Sequence, residues 1–278
     1  MDDARANLEA SLAIARAIGH RRLEGNLIGN LGNVHAVQGR LDEARVHFEQ
    51  ALAIHREVGN RRIEGIDTSN LGNTYREQGK LEEARLRFQA ALAIHREVGN
   101  RRDEGIVIGN LGLLDSDQGR LDEARQRCQD ALAISREVGD RLFEGVILGD
   151  LAHVLSEQGR MPEARAHLDQ ALAIHRAVGN RRSEGAVLGM LGELLARQGS
   201  FGEAREALRT GEALLREIGD KLGLAALLCN LGRAEVLAGD LDTARTALAA
   251  AKTVAEAIGA GPDSEVGRAI DKLRETLA

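Results

Sequence analysis

The sequence predicts an all-α fold, an array of helix pairs that forms one elongated domain. The first observation is a repeat: the stretch "GNLGNVHAVQGRLDEAR", residues 29–45, returns every 40 residues, starting at 69, 109, 149 and 189. The second is composition, with no Trp, one Tyr, four Phe and two Pro, which favours helices over strands. A chain of 278 residues would ordinarily suggest two globular domains, but a repeat array has no such boundary.

The glycines of this stretch also resemble a phosphate-binding loop that runs into a helix. A motif for one phosphate would not need five copies in strict register, whereas a packing unit that stacks on copies of itself would. We therefore interpret the glycines as architectural. One series begins at Gly19 and a second at Gly39, and each recurs every 40 residues.

The repeats can be divided in order along the chain. Residues 1–19 match only the second half of a repeat, and the complete repeats occupy residues 20–59, 60–99, 100–139, 140–179, 180–219 and 220–259. Each contains two helices. A second helix over 42–58 is predicted because Asp42 and Glu43 suit a helix N-terminus and Gly59 ends it. A first helix is predicted over roughly 60–78.

Both helices of a repeat are predicted to pack on neighbours. In the second helix, one face carries the residues expected in the core, namely Leu41, Ala44, Phe48, Ala51, Leu52, His55 and Val58. The first helix places Leu71 and Tyr75 on one side, with the small Thr68 and Gly72 beside them, where a neighbouring helix can approach closely.

The two ends of the array differ. Residues 264–278 are predicted to form a capping helix, with one apolar stripe of Val266, Ile270, Leu273 and Leu277. At the N-terminus, residues 2–18 lack a preceding first helix, so the face of Leu8, Leu12 and Ile18 is expected to be left open. Either the chain is a fragment of a longer array, such as the sensor arm of a larger signalling protein, or this edge pairs with a second copy in a homodimer. The abrupt start favours the fragment.

Composition excludes several classes of protein. There is no signal peptide and no apolar run long enough for a membrane span, and Cys128 and Cys229 lie in different repeats, so a cytoplasmic location is expected. The formal net charge of -6 and the scarcity of aromatic residues argue against nucleic-acid binding. No cofactor is indicated.

The histidines could suggest a metal or a catalytic site. His55, His95 and His175 recur at one position, but helices one repeat apart are separated by about 10 Å, so these side chains cannot share a metal and are interpreted as packing residues bonded to a neighbour. His153, Glu157 and Glu193 form the one cluster of possible ligands, and such groups are common by chance. No nucleophile with an adjacent base can be assembled, so a non-catalytic protein is predicted.

The recurring Leu-Gly-Asn, Gly, Glu-Ala and "ALAI" positions resemble the tetratricopeptide repeat family, and the 40-residue period with "GNRRIEG" is similar to its long Leu-Gly-Asn variant. The resemblance covers about residues 1–259. It implies an α-α superhelix of about seven helix-turn-helix repeats, whose first helices line a concave groove that binds peptides. The excess of Arg over Lys is typical of a GC-rich bacterial genome.

On the helical wheel, the groove-facing positions are those opposite Leu71 and Tyr75: Arg62, Ile66, Ser69, Asn73, Arg76 and Glu77. Translation by 40 residues gives five rows. An aliphatic row contains Asn26, Ile66, Ile106, Val146, Ala186 and Ala226. A row of small residues contains Gly29, Ser69, Gly109, Gly149, Gly189 and Cys229, and either helix packing or room for a ligand must explain it. A mixed row contains Asn33, Asn73, Leu113, His153, Glu193 and Arg233. An acidic row contains Glu77, Asp117 and Glu157, flanked by Val37 and Arg197. A basic row contains Arg22, Arg62, Arg102 and Arg182.

The acidic row suggests the partner. Like charges on adjacent helices repel unless a cation neutralises them, so a partner segment with Lys or Arg next to aliphatic anchors is expected along Ile66, Ile106 and Val146. The Arg side chains of the basic row are expected to lean on carboxylates such as Glu57 and Glu64. The family's eukaryotic adaptors use groove arginines and asparagines for acidic peptides, but the asparagine after Leu-Gly is replaced from Leu113 onward and the Ile66 row is apolar.

Overall fold

The computed structural model describes residues 2–277, with side chains from residue 5 onward, and this part of the chain forms fourteen α-helices. They are α1 Asp2–Ala17, α2 Arg21–Val37, α3 Leu41–Glu57, α4 Arg61–Glu77, α5 Leu81–Glu97, α6 Arg101–Asp117, α7 Leu121–Glu137, α8 Arg141–Glu157, α9 Met161–Ala177, α10 Arg181–Arg197, α11 Phe201–Glu217, α12 Lys221–Ala238, α13 Leu241–Ala257 and α14 Glu265–Thr276. Helices α2 to α13 form six pairs in an α-α superhelix. Each first helix packs on the second helix of its own pair and on the pair before it.

Each helix from α1 to α13 ends at a glycine in the left-handed region. At the end of α3, Gly59 has φ +67°, and the amide of Asn60 donates to the carbonyl of His55 at 2.8 Å. Glycine adopts this conformation without a Cβ clash, and the returning hydrogen bond satisfies a carbonyl that the helix end leaves free. The same turn recurs after every helix to Gly259, so the chain reverses within a few residues each time.

The second helices supply the core as predicted. Leu41, Ala44, Phe48, Ala51, Leu52 and His55 are all buried in α3. Val58 was placed on the same face, but this prediction was wrong: it is the C-cap residue and is 38% exposed. Ile54, which the helical wheel left out, is 6% exposed, because it packs in one cluster with apolar residues of α2, the first helix of its own pair.

The capping helix has the predicted buried stripe, and it also closes the superhelix. Val266, Ile270 and Leu273 are buried where α14 packs on α12 and α13. The segment before it, residues 259–264, reaches the turn between α2 and α3. There the amide of Gly261 donates to the carbonyl of Gln38 at 2.9 Å, and the backbone of Ser264 lies against Gly39.

The open edge of α1 differs from its prediction. Leu12 is 8% exposed and packs with Leu27, Ile28 and Leu31 of α2. Leu8 is also partly buried there. The apolar side chains that α1 exposes are Ile14 at 62% and Ile18 at 66%.

The prediction was wrong for Leu12 because the face that packs on α2 was assumed to be free. Ile14 is the informative residue: its equivalent Ile54 is buried by the first helix of its own pair. Pairing of this edge with a second copy stays a prediction.

None of the helices within residues 2–277 combines the length and the apolar character that crossing a bilayer requires.

Candidate functional site

The superhelix encloses a cavity of about 850 Å³ on its concave side. The first helices α6, α8, α10 and α12 form its floor, and α14 lies over it. Six of the polar residues that the sequence placed in the groove line this cavity: Asp117, His153, Glu157, Glu193, Arg197 and Arg233. Ala186 and Ala226, from the aliphatic row, line it as well.

The other predicted groove residues do not line this cavity. They belong to α2, α4, α6 and α8, and they are Asn26, Asn33, Arg62, Ile66, Asn73, Arg76, Glu77, Arg102, Ile106, Leu113 and Val146. Val146 is 44% exposed, and Ile66 and Ile106 are half-buried, so the aliphatic row is accessible. Contact of these residues with a partner stays a prediction.

The row of small residues is not the groove floor. Gly29, Gly109, Gly149, Gly189 and their equivalents Ser69 and Cys229 are all buried. A Cβ built on Gly109 would lie 2.7 Å from Cδ1 of Ile147, and one built on Gly189 would lie 2.9 Å from the Asn230 amide. Of the two explanations, the structure supports helix packing at these two positions.

The cavity is lined instead by the residues one position later. Asp150, Met190 and Asn230 all contact it, and their equivalents toward the N-terminus are Asn30, Asn70 and Asn110. The sequence reasoning missed this row. A signal was available, because a polar residue recurs there between buried Gly and Leu, in line with the predicted rows at helical spacing.

The acidic row is contacted by arginine side chains of this chain. Arg76 Nε lies 3.3 Å from Asp117, and Arg197 donates to Glu157 at 2.9 Å. Arg268 of α14 donates to the backbone carbonyl of Glu77 at 3.3 Å.

The expectation that a partner must neutralise this row was therefore wrong, because the chain supplies the arginines. The Arg197–Glu157 contact holds the pKa of Glu157 below its ordinary value. Burial raises the pKa of Glu77, and the Arg268 charge opposes that shift.

The cluster of His153, Glu157 and Glu193 is organised by arginine. Arg197 contacts both carboxylates, and Arg233 donates to Glu193 at 2.8 Å. Burial acts to raise the pKa of Glu193, but these two guanidinium groups outweigh it and keep the pKa below its ordinary value. Among the described residues, no group of three His, Cys, Asp or Glu side chains is arranged to hold a metal ion.

The basic row is paired differently from the prediction. Arg102 contacts Asp140 at 2.6 Å and Arg182 contacts Asp220 at 2.9 Å, while Arg62 is exposed and makes no ion pair with the described residues.

Glu57 and Glu64 were the expected partners of this row, but other arginines pair with them. Arg21 contacts Glu57, and Arg56 and Arg61 contact Glu64. The prediction was displaced by one residue, which rotates a side chain by about 100° around the helix.

The recurring histidines are packing residues, as predicted, and they are fully buried. Nδ1 of His55 lies 2.6 Å from a carboxylate oxygen of Asp67, and Nε2 lies 3.1 Å from Oδ1 of Asn26. Burial raises the pKa of Asp67 to about 6, and the His55 hydrogen bond opposes that shift. A Cβ on Gly65 would lie 2.6 Å from the His95 ring, which explains why glycine faces histidine in that repeat.

The tetratricopeptide repeat profile matches residues 1–57, 23–97, 103–177, 143–217 and 183–257. A comparison with curated protein sequences gives no significant match.

Solved structures share the fold at low identity. The apo form of RapI is 14% identical, with 94% of this chain and 96% of that chain covered and a TM-score of 0.71. A Rap protein complexed with competence and sporulation factor is 17% identical, with 92% and 76% covered and a TM-score of 0.71. BtubC from P. vanneervenii is 19% identical, with 80% and 93% covered and a TM-score of 0.63.

Proposed function

The chain belongs to the tetratricopeptide repeat family, and from that premise we propose that it is a non-catalytic protein-interaction module whose concave groove binds a peptide or partner segment. The observation that carries the proposal is the cavity of about 850 Å³, because it is lined by apolar side chains together with oriented charged groups. That combination is typical of ligand sites. A Rap protein of the same fold was solved in complex with competence and sporulation factor, which supports a binding role for this fold.

The aliphatic row supplies the anchors of the proposed partner. Ile66, Ile106 and Val146 are accessible, although apolar side chains of this size are usually buried, and Ala186 and Ala226 continue the row into the cavity. Burial of apolar surface by a partner is favourable at about 25 cal/mol per Å². We therefore propose that the partner places aliphatic side chains along this row.

The experiment selects ligands from a displayed library of random linear peptides on the full chain, and then measures the affinity of the selected peptides for two variants. Val146→Arg introduces a charge into the aliphatic row. Leu86→Arg is the matched control, since Leu86 is 66% exposed on the second helix α5.

Binding should weaken about tenfold or more in Val146→Arg, because a charge enters the apolar contact surface. It should stay unchanged in Leu86→Arg. Peptides that bind the Val146 variant as tightly as the parent would show that the row is not the binding surface.

A further inference from the structure

Asp150 is a carboxylate without a partner. It lies on α8 and faces the cavity, and none of the described residues donates a hydrogen bond to it or forms an ion pair with it. The equivalent residues are Asn30, Asn70, Asn110, Met190 and Asn230, so Asp150 is the ionisable member of its row. A carboxylate that is half-buried and left without a partner carries a desolvation cost.

The four arginines around Asp150 are already paired with other carboxylates. The charged and titratable groups that face the cavity are Asp117 from α6, His153 and Glu157 from α8, Glu193 and Arg197 from α10, Arg233 from α12, and Glu265, Arg268 and Lys272 from α14, with Arg76 of α4 nearby. Arg76 contacts Asp117, Arg197 contacts Glu157, and Arg233 contacts Glu193. Lys272 acts electrostatically on Glu157.

Glu265 adds to the imbalance. It lies on the other side of the cavity from Asp150, in the first turn of α14, and the two negative charges act on each other unfavourably. Neither carboxylate has an ion pair with a described residue. Among the described residues at the cavity, these two carboxylates lack an ion pair and one cation, Lys272, also lacks one, so the unpaired negative charges outnumber the unpaired positive charge.

Part of the wall is apolar. Met190, Leu194, Ala226 and Leu227 contribute to the cavity, whose volume of about 850 Å³ is large enough for an aliphatic chain. Since the described carboxylates and His153 do not converge as metal ligands, the shape and composition fit an organic cation better than a bare ion.

We propose that the cavity beneath α14 binds an organic cation, a guanidinium or primary ammonium group on an aliphatic stem, whose charge pairs with Asp150. The stem lies against Met190 and Leu194, and Glu265 contributes the second negative charge. The cation can belong to an Arg or Lys side chain of a partner segment or to a free amine. This site extends the proposed function, and it can be tested without knowledge of the partner.

Protonation of Asp150 provides the readout. Burial raises the pKa of Asp150 to about 7; Glu265 adds to the shift and Arg76 opposes it. A cation binds the ionised carboxylate, so binding should be about tenfold tighter at pH 8, where most of Asp150 is ionised, than at pH 6, where most is protonated. His153 also faces the cavity, and histidines ordinarily titrate in this range, so a variant must separate the two residues.

The experiment is calorimetric titration of the full chain with two probes at pH 6 and pH 8 in moderate salt. One probe is agmatine, a free guanidinium on an aliphatic stem, and the other is a capped alanine pentapeptide with one central arginine. Asp150→Asn is the test variant, and its fold is expected to be retained because asparagine occupies four of the five equivalent positions. Asp169→Asn is the matched control, because this carboxylate is exposed on the second helix α9 and does not line the cavity.

At least one probe should bind with one-to-one stoichiometry. Asp150→Asn should weaken binding about tenfold or more at pH 8 and remove the pH dependence, since only an ionised partner attracts the cation. Asp169→Asn should bind like the parent. Binding of agmatine alone would identify a free amine as the source, and binding of the peptide alone would identify a partner side chain.

Absence of binding by both probes, or equal binding by Asp150→Asn, would overturn the proposal. Neither result would affect groove binding by the library-selected peptides, so the two proposals can fail separately.

Discussion

Replacement by alanine should affect the free energy of unfolding differently at Gly72 and Gly149, which both lie in first helices of their repeats. In α4, a Cβ added to Gly72 would lie 2.6 Å from Cε1 and 2.7 Å from Cδ1 of Phe88. Phe88 is fully buried, so its ring has no space to retreat. In α8, a Cβ added to Gly149 would meet only Met190, with its nearest atoms at 3.8 and 3.9 Å, which is ordinary van der Waals contact.

The magnitude follows from two terms. Alanine stabilises a helix interior by about 1 kcal/mol relative to glycine, and this term is the same in both variants. Overpacking of a filled core costs about 1–3 kcal/mol, and this term applies only at Gly72. Gly149→Ala should therefore raise the free energy of unfolding by about 1 kcal/mol, and Gly72→Ala should lie about 1–3 kcal/mol below it.

The assay is equilibrium unfolding in urea followed by circular dichroism, together with amide hydrogen exchange in α4 and α8. Exchange is needed because repeat arrays can unfold in parts, so a single global transition does not locate the change. If the two variants shift stability by the same amount, or if Gly72→Ala is the more stable, then the contact with Phe88 does not explain the glycine.

Two further predictions concern the closure and the thiols. Gly39→Ala should destabilise the closing contact and speed hydrogen exchange of the Gly261 amide more than the control Gly79→Ala does. Both glycines have left-handed φ angles, but only Gly39 also contacts residues 259–264. Equal exchange rates in the two variants would show that the closing contact does not explain the effect. Burial raises the pKa of the Cys128 thiol to about 12 and that of the Cys229 thiol to about 11. Both thiols should therefore react with iodoacetamide at pH 8 far more slowly in the native chain than in urea. Rapid alkylation of the native chain, detected by mass spectrometry, would contradict their burial.

The helices and their packing faces could be predicted from the sequence because both depend on local patterns. Gly59 marks a helix end, and Phe48 and Leu52 mark a buried face, without knowledge of any distant residue. The groove rows were predicted less well, because a helical wheel has an angular uncertainty of about one residue. For this reason the predicted groove row contained Gly149, which is buried, and not the neighbouring Asp150, which lines the cavity.

The ion pairs of the groove could have been predicted from the sequence. Arg197 lies 40 residues after Glu157, and Arg233 lies 40 residues after Glu193, so each pair joins adjacent first helices at one position of the repeat. Opposite charges at the repeat period predict such contacts. The contacts of Gly261 with Gln38 and of Arg268 with Glu77 have no such signal, because Gly261 and Arg268 follow the last repeat and occupy no repeat position.

The hydrogen bond between Gly261 and Gln38 changes how stability is distributed in this array. In an open repeat protein each unit touches only its neighbours, so the two ends fray independently. Here the turn after α2 and the segment after α13 share a contact across about 220 residues of chain. Forming this contact costs loop-closure entropy, and the contact is lost as soon as either end unravels. A change that destabilises one end of the chain therefore also destabilises the other.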